Sequence, residues 1–466
     1  MQAAETSTEH PSPPQPHPRR WTALALVGIA QLMLILDITV VTIAMPQLGT
    51  DLGMGRDALT WVMSAYTLAF GGLMLTGGRL ADVFGPRRIV MIGLGVFTLA
   101  SLAAGLVDTG TLVIAARVAQ GIGAALMSPA ALSTIVRLFE GEELNRALGI
   151  WSALGGVGAA VGVLVGGLLT AGPGWPWVFL VNVPIGAAIL IALPFVLPAL
   201  PPALPGARLD LVGALLGTIA FGLLIFACID AGNSGLASPR PLLALGASLA
   251  LFVAFAAWLR GRPNALVDPA LVVRRPVLGG SLVLLVGTAL MVAVFFLGTF
   301  FLQGTAGYDA LTTGLLFLPV ALATMAGAQT AGRAIGGLGV RAVAVAGLLL
   351  AGAGLAVAAI GSGPTVIVIA TSIGSAGLGA LFVVSSVTVL SSVAHHEAGI
   401  ASGLLSSFHE LGASLGAALM SGVAAASLTA GTIPGFQRGY AVAAGVAIAS
   451  ALLAGLLLPA RERDRS

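Results

Sequence analysis

Stretches of about twenty consecutive apolar residues follow one another from Trp21 to Pro459, parted by short loops that carry most of the charge. A helix of twenty residues is about 30 Å long, the thickness of a bilayer's hydrocarbon core. Inside lipid every backbone N–H and C=O must find its partner within the protein, so such stretches fold as helices. Composition excludes the soluble alternative. Of 466 residues, 58% are hydrophobic and 8% charged, where a soluble domain carries about 25% charged residues. The fold class is an all-α integral membrane protein.

Apolar segments of spanning length lie near 21–45, 57–77, 88–107, 111–136, 147–171 and 176–197. Two follow near 210–230 and 240–259, and six more near 276–302, 310–331, 342–360, 364–391, 398–428 and 439–459. The count is fourteen transmembrane helices, grouped six, two and six. The expected organisation is a disordered tail over 1–20, a six-helix bundle over 21–200 and an inserted pair over 205–262, then a second six-helix bundle over 275–459 and a tail over 460–466. The N-terminal tail holds five prolines and His10 and His17, without apolar periodicity. The run after Arg20 is too long for a signal-peptide core of about 7–15 residues, so it is a retained first span.

Every basic residue is an arginine, 21 in all. The absence of lysine excludes a Walker A loop and Schiff-base chemistry, so no nucleotide is expected to bind. The single cysteine, Cys228, excludes an intrachain disulfide and a multi-cysteine metal site. No cofactor, metal or nucleic acid is called for. If the chain begins in the cytoplasm, seventeen arginines fall in cytoplasmic loops and tails, and three (Arg56, Arg240 and Arg438) fall outside, with Arg117 in the membrane. That bias obeys the positive-inside rule and predicts an inner-membrane protein with both termini cytoplasmic.

The halves repeat. Gly78, Arg79, Gly85 and Arg87 coincide with Gly332, Arg333, Gly339 and Arg341 at a shift of 254, and Ala147, Gly149, Gly158 and Gly162 coincide with Ala401, Gly403, Gly412 and Gly416 at the same shift. Parallel six-helix halves are a known transporter architecture, with substrate bound near the midplane between them.

At these residues the chain resembles the major facilitator superfamily, and within it the 14-helix drug:proton antiporter branch. LDITVVTIAMPQL (36–48) is similar to that branch's helix 1 signature. Gly78, Arg79, Leu80, Ala81, Asp82, Gly85, Arg87 and Arg88 resemble the superfamily's loop 2–3 motif, with Val83 and Pro86 where basic residues are usual. Arg117, Gln120, Gly121 and Gly123 resemble the helix 4 motif attributed to proton coupling. Gly158, Gly162, Gly166 and Gly167 resemble the antiporter motif of helix 5, with Val163 in place of its proline. Residues 175–186 (WPWVFLVNVPIG) resemble a helix 5–6 signature of the branch, with Pro176 where arginine is usual. The resemblance implies the major facilitator fold with two inserted helices, and antiport of drugs against protons.

A charge at bilayer depth is costly and marks a functional site by default. Asp37 lies about 12 Å from the outer end of the first span, and Arg117 about 9 Å from the outer end of the fourth, so they can meet. Glu410 and His409 lie about 18 Å into the thirteenth, near the midplane. Two readings fit. Asp37 and Glu410 carry protons, tuned by Arg117, which cannot deprotonate; or Asp37 and Arg117 form a fixed ion pair. His409 either titrates or hydrogen-bonds a neighbour. Gly78, Asp82, Gly85, Arg87 and Arg88 form either a conformational switch, in which Asp82 meets a helix dipole, or a tight turn. Gly158, Gly162, Gly166 and Gly167 give the fifth span one small-residue packing face. Gln31, Asp37, Trp61, Tyr66, Phe295 and Phe317 are the candidate substrate-cavity residues, and that composition suits amphipathic or aromatic compounds, cationic ones included.

The expected function is proton-coupled export of hydrophobic or amphipathic small molecules, drugs and antibiotics, by a monomer in the lipid bilayer. One proton crossing 100 mV releases about 2.3 kcal/mol, enough for roughly a 50-fold concentration ratio. The alternatives are a dedicated exporter of one natural product, a proton-coupled importer, and a non-transporting sensor. An enzyme would need a nucleophile–base or metal constellation that the spans do not supply.

Overall fold

The computed structural model describes residues 18–202, 209–235, 238–260, 262, 266–394, 397–430 and 432–460. The predicted tail with His10 and His17, the loop Arg208, and Arg461, Arg463 and Arg465 lie outside the described residues.

The first half comprises α1 (Arg20–Asp51), α2 (Arg56–Phe84), α3 (Pro86–Leu106), α4 (Gly110–Leu138), α5 (Gly141–Ala171) and the broken pair α6 (Pro176–Leu180) and α7 (Asn182–Val196). The inserted pair is α8 (Leu211–Ser234) and α9 (Pro239–Leu259). After a short α10 (Pro269–Val273), the second half holds α11 (Arg275–Phe300), α12 (Ala310–Leu338), α13 (Val340–Ile360), α14 (Pro364–Leu390), α15 (Ala398–Ala430) and α16 (Ile433–Leu457). Taking α6 and α7 as one, the described residues form fourteen long helical segments. Eleven of them are long and apolar enough to cross a membrane by length and composition, and α2, α5 and α15 are the others. The chain is a multi-pass membrane protein.

Local chemistry sets the ends. Prolines occupy the first turn of α3, α9, α11, α14 and α16, where the missing N–H is not needed. Asp210 and Asp309 cap α8 and α12 through the amides of Gly213 (2.9 Å) and Thr312 (2.7 Å). Between α2 and α3 the chain reverses at Gly85, whose φ of 88° favours glycine.

Within the first half α4 packs on α2 and α3, and α1 on α5 and α7; within the second, α14 packs on α11, α12 and α13, and α16 on α13. The repeat is visible in space, because α5 lies on α1 as α15 lies on α11. The halves meet along two main seams, α2 against α15 and α5 against α12. The approaches at Gly78 and Gly332 lie toward the side where α1 begins and α16 ends, the termini side. α8 rests on α9, α2 and α15.

Candidate functional site

Asp37 of α1 and Arg117 of α4 meet in an ion pair from which water is excluded, with side-chain exposures of 0%. The guanidinium is held on three further sides. Its Nε donates to the Val62 carbonyl at 3.0 Å, its Nη1 to Gln120 Oε1 at 3.0 Å, and its Cζ lies 4.3 Å from the centre of the Tyr66 ring. Gln120 stands three residues after Arg117, hence on the same helix face. Its Nε2 donates to Asp37 Oδ1 at 3.1 Å and to Ser101 Oγ at 2.8 Å. Asn182, at the break between α6 and α7, donates from Nδ2 to Asp37 Oδ1 at 3.1 Å. A buried charge is tolerated when it is paired and its remaining lone pairs and protons are satisfied, and here the Asp37 carboxylate takes partners from two other helices. Two groups are left over: Arg117 Nη2 and Tyr66 Oη are buried without a hydrogen bond.

The predicted neighbours Glu410 and His409 point apart, since consecutive helical residues are about 100° apart. His409 turns into the second half, its Nδ1 3.0 Å from Thr288 Oγ1 and its ring 5.9 Å from that of Phe382. Glu410, 7% exposed, turns toward the first half: a Cβ at Gly71 of α2 would stand 3.4 Å from Glu410 Cβ. Among the described residues its carboxyl has no hydrogen bond and no ion pair. Tyr66, expected at the cavity wall, is wholly buried against the Arg117 guanidinium and within electrostatic reach of Asp37 and Glu410.

The loop-motif residues divide. Gly78 touches α15 directly, and a Cβ there would collide with the Gly399 carbonyl. Asp82, wholly buried, accepts from the Gly399 and Ile400 amides at 2.9 Å each. These are first-turn amides of α15, where the helix dipole is positive. Arg137, at the end of α4, adds a contact at 3.3 Å, the basic partner that Val83 and Pro86 do not supply. Asp82 lies beyond the apolar span, and burial pushes its carboxyl up to about 6 while the two amides, Arg137 and Arg79 pull it down. Gly85 and Arg87 instead bind their own half. A Cβ on Gly85 would lie 2.9 Å from the Leu200 carbonyl, and Arg87 donates to the Pro194 carbonyl at 3.1 Å. Arg88 is exposed. The structure therefore brings Gly78 and Asp82 to the seam between halves and leaves Gly85, Arg87 and Arg88 off it.

Other candidates are placed as follows. Gly158 and Gly162 lie on α1, where a Cβ would stand 2.6 Å from Ile35 Cγ2 and 2.7 Å from Thr39 Cβ. Gly166 is buried. Gly167 departs from the expected single face: it looks into open space, one residue round the helix. Gln31 Oε1 is buried without a partner. Phe317, expected at the cavity wall, is packed in the core at 3% exposure with its ring 5.0 Å from Phe295. Trp61, beside Val62 in the chain, is 47% exposed. Gln120 and Asn182 were not singled out as site residues from sequence. Their signal was there, since both fall inside the helix 4 and helix 5–6 motifs.

Comparison with known proteins gives the same fold and a family. Residues 27–417 match the Major Facilitator Superfamily. The puromycin resistance protein pur8 of Streptomyces alboniger is 37% identical, over 96% of this chain and 93% of its own. The cephamycin export protein CmcT of Amycolatopsis lactamdurans is 35% identical, over 86% of this chain and 84% of its own. The multidrug resistance protein Stp of Mycobacterium tuberculosis is 32% identical, over 89% of this chain and 78% of its own. Among solved structures, the human organic anion transporter MFSD10 superposes with a TM-score of 0.69 at 18% identity, over 95% of this chain and all of its own. With two repeat-related bundles, a buried Asp37–Arg117 pair and a match over most of its length, the chain belongs to the Major Facilitator Superfamily.

Proposed function

We propose that this transporter exports amphipathic small molecules, antibiotics among them, from the cytoplasm in exchange for protons. It does so by rocking two six-helix bundles about a central site, with fourteen spans in the inner membrane and both termini cytoplasmic. The observation that carries the coupling is Glu410, a buried carboxyl at the junction of the halves with no cation beside it among the described residues. A proton neutralises such a group at the membrane's centre and a positively charged substrate replaces the proton. Asp37 is the second carrier. Arg117, Gln120 and Asn182 hold its charged form, and the buried Tyr66 ring stacks on the Arg117 guanidinium. His409 serves as a hydrogen-bonding neighbour. Gly78 and Asp82 hold the termini side shut in the present state and part in the other.

Export as the direction, and antibiotics as substrates, are supported by the names of the relatives. Those of pur8 and CmcT each carry one antibiotic, which supports a narrow substrate range as a second reading; Stp is named for several. The test is made in inverted vesicles energised with a proton gradient and loaded with a pH-sensitive dye. Addition of a transported amphipath is expected to release protons, and Glu410→Gln or Asp37→Asn to abolish the release. Unchanged release in both variants removes the proton role of these carboxyls, and gradient-driven uptake into intact cells reverses the direction. A panel of unrelated amphipaths separates the narrow range from the broad one.

A further inference from the structure

The antiport reading leaves the inserted pair without a task, yet α8 lies along the seam between the halves, in contact with α2 and α15 together. Its face toward α2 is a stripe at helical spacing: Thr218, Gly222 and Ile225. Thr218 Oγ1 is 3.4 Å from Thr76 Oγ1. A Cβ at Gly72 would stand 3.1 Å from the Thr218 carbonyl oxygen and 3.7 Å from Gly222 Cα. At Gly71 a Cβ would collide with Ile225 Cδ1 and come within 3.4 Å of Glu410 Cβ. Three helices thus converge on one residue without a side chain, and the space it vacates is shared by Ile225 of α8 and Glu410 of α15.

Ile225 is wholly buried. The hairpin behind it is cross-tied: Ser248 of α9 donates to the Ala220 carbonyl at 2.8 Å, and Phe221 stacks edge-on against Phe252 at 4.9 Å. Asp210 ties the foot of α8 to α9 through Trp258 Nε1 at 2.9 Å. Beyond it α9 turns Leu242, Leu243, Leu245 and Leu249 outward. The order from the bilayer inward is therefore α9, α8, then the seam with Glu410.

The groups that could set the state of Glu410 are few. α2 brings Tyr66, which lies within electrostatic reach of Glu410, and the Arg117 charge of α4 is paired with Asp37. α11 presents neutral Thr288 to His409 on the far face of α15. α14 has no charged residue, α8 has Asp230 near its end and the buried thiol Cys228, and α16 has Arg438 and Tyr440 in its first turns. What α8 brings to this carboxyl is hydrocarbon, not charge.

We infer that α8 is the bilayer-side wall of the Glu410 site, and that Ile225, seated on α2 through Gly71, Gly72 and Thr76, is the positioning residue that bars lipid and its solutes from the carboxyl. The role assigned to Glu410 rests on the antiport reading; the wall itself is geometric. A carboxyl that must exchange its proton with one aqueous side at a time needs such a barrier, because an opening to the acyl chains would expose the charged form to hydrocarbon. Because Gly72 and Thr76 hold α8 to the first half, the wall travels with α2 and slides along α15 when the seam parts.

The experiment uses the full chain in native membranes and dicyclohexylcarbodiimide, a lipid-borne reagent that modifies carboxyls, with mass spectrometry of the peptide containing Glu410. Ile225→Ala is expected to raise the rate of modification about fivefold, the equivalent of about 1 kcal/mol in access. Ile219→Ala, on the same helix but 42% exposed, is expected to leave the rate unchanged. If Ile225→Ala does not fold, Ile225→Val removes Cδ1 alone and is expected to give about a twofold rise. An unchanged rate in the Ile225 variants, or an equal rise in Ile219→Ala, overturns the inference. Labelling reports access to the carboxyl whether or not it carries a transported proton. A protein that fails the proton-release assay but keeps this labelling pattern therefore loses the coupling role alone.

Discussion

Gly78→Ala puts one methyl group into the α2–α15 seam, and its cost can be worked from the geometry. The new Cβ would collide with the Gly399 carbonyl oxygen, with the carbonyl carbon 2.9 Å and Gly403 Cα 3.2 Å away. All three are backbone atoms, so no side chain can turn aside. Two responses remain. If the helices stay in place, the clash costs about 1–3 kcal/mol, as overpacking does. If they part by about 1 Å to restore ordinary contact, the Asp82 bonds to Gly399 and Ile400, now 2.9 Å, lengthen beyond hydrogen-bond range. Each such bond to a charged group contributes about 1.5–3 kcal/mol, so parting is the dearer route. The less costly response sets the loss, so the state closed on the termini side loses about 2 kcal/mol, which the state open on that side does not, and the ratio of the two shifts about 30-fold. The assay places a cysteine at Leu75, which is 3% exposed and has its Cα 3.2 Å from where a Cβ of Gly403 would stand, on a Cys228→Ser background. In inverted vesicles a membrane-impermeant maleimide is expected to label it at least tenfold faster in Gly78→Ala. Gly95→Ala, with nothing within 4 Å, is the control. Equal labelling rates in Gly78→Ala and its parent refute the reasoning.

Three further outcomes follow from named contacts. Burial holds the Asp82 carboxyl at about 6 against an ordinary 3.8, so the closed seam binds a proton that the open one releases. That contribution to closure is full below 3.8 and lost as pH rises through about 6. Labelling of the Leu75 cysteine, divided by the rate at a cysteine on exposed Leu338, is therefore expected to slow as the termini-side pH falls from about 7 to 5, and Asp82→Asn to be flat. Asn182→Ala removes one bond to the Asp37 carboxylate, worth about 1.5–3 kcal/mol; a lower thermal midpoint in detergent is expected, and an unchanged one contradicts the shared hold on Asp37. Gly332→Ala, at the repeat-related seam, meets its nearest atom, the Asn145 carbonyl oxygen, at 3.3 Å, so a shift of a few tenths of an ångström accommodates it. Its labelling rate is expected to stay within about threefold of the parent.

Depth was legible in the sequence and azimuth was not. Counting residues from the span ends put Asp37 and Arg117 at matching levels, and they meet. The same count put Glu410 and His409 together near the midplane, where they lie back to back. In a soluble helix the polar face tells which way a residue points; here both lipid and neighbouring helices are met by apolar side chains, so the pattern is uniform round the axis. Phe317 in the core and Trp61 at the surface look alike for that reason. Gly167 failed on the same ground, one residue being enough to turn it off the α1 seam. Gln120 and Asn182 are different: a polar amide three residues from a buried arginine, and another at a helix break, are chemical demands of the ion pair, readable once the pair is assumed. The seat of α8 across the seam left no mark in composition at all.

The shift of 254 explains why the two seams, built from the same parts, are unequal. Gly78 on Gly399 has its counterpart in Gly332 on Asn145, and Gly403 on the Met74 carbonyl has its counterpart in Gly149 on the Ala328 carbonyl. The approaches on the α5–α12 side are longer: 3.6 Å for a Cβ at Gly149 against 2.7 Å at Gly403. Asp82 has become Gly336, and the room left over is part of a cleft of about 630 Å³ lined by Glu142, Asn145, Gln329 and Arg333. The helix starts differ as well. α15 begins at Ala398, so the amides of Gly399 and Ile400 fall in its first turn and are free to bind a carboxylate. α5 begins at Gly141, about a turn earlier relative to the repeat, so the amides of Asn145 and Arg146 are already committed to helix carbonyls. An acid at position 336 would therefore find no free amide to hold. The α2–α15 seam is thus a close contact that seats the Asp82 carboxyl on two free amides, and the α5–α12 seam is a looser, polar one, so a methyl group that the second absorbs breaks contacts in the first.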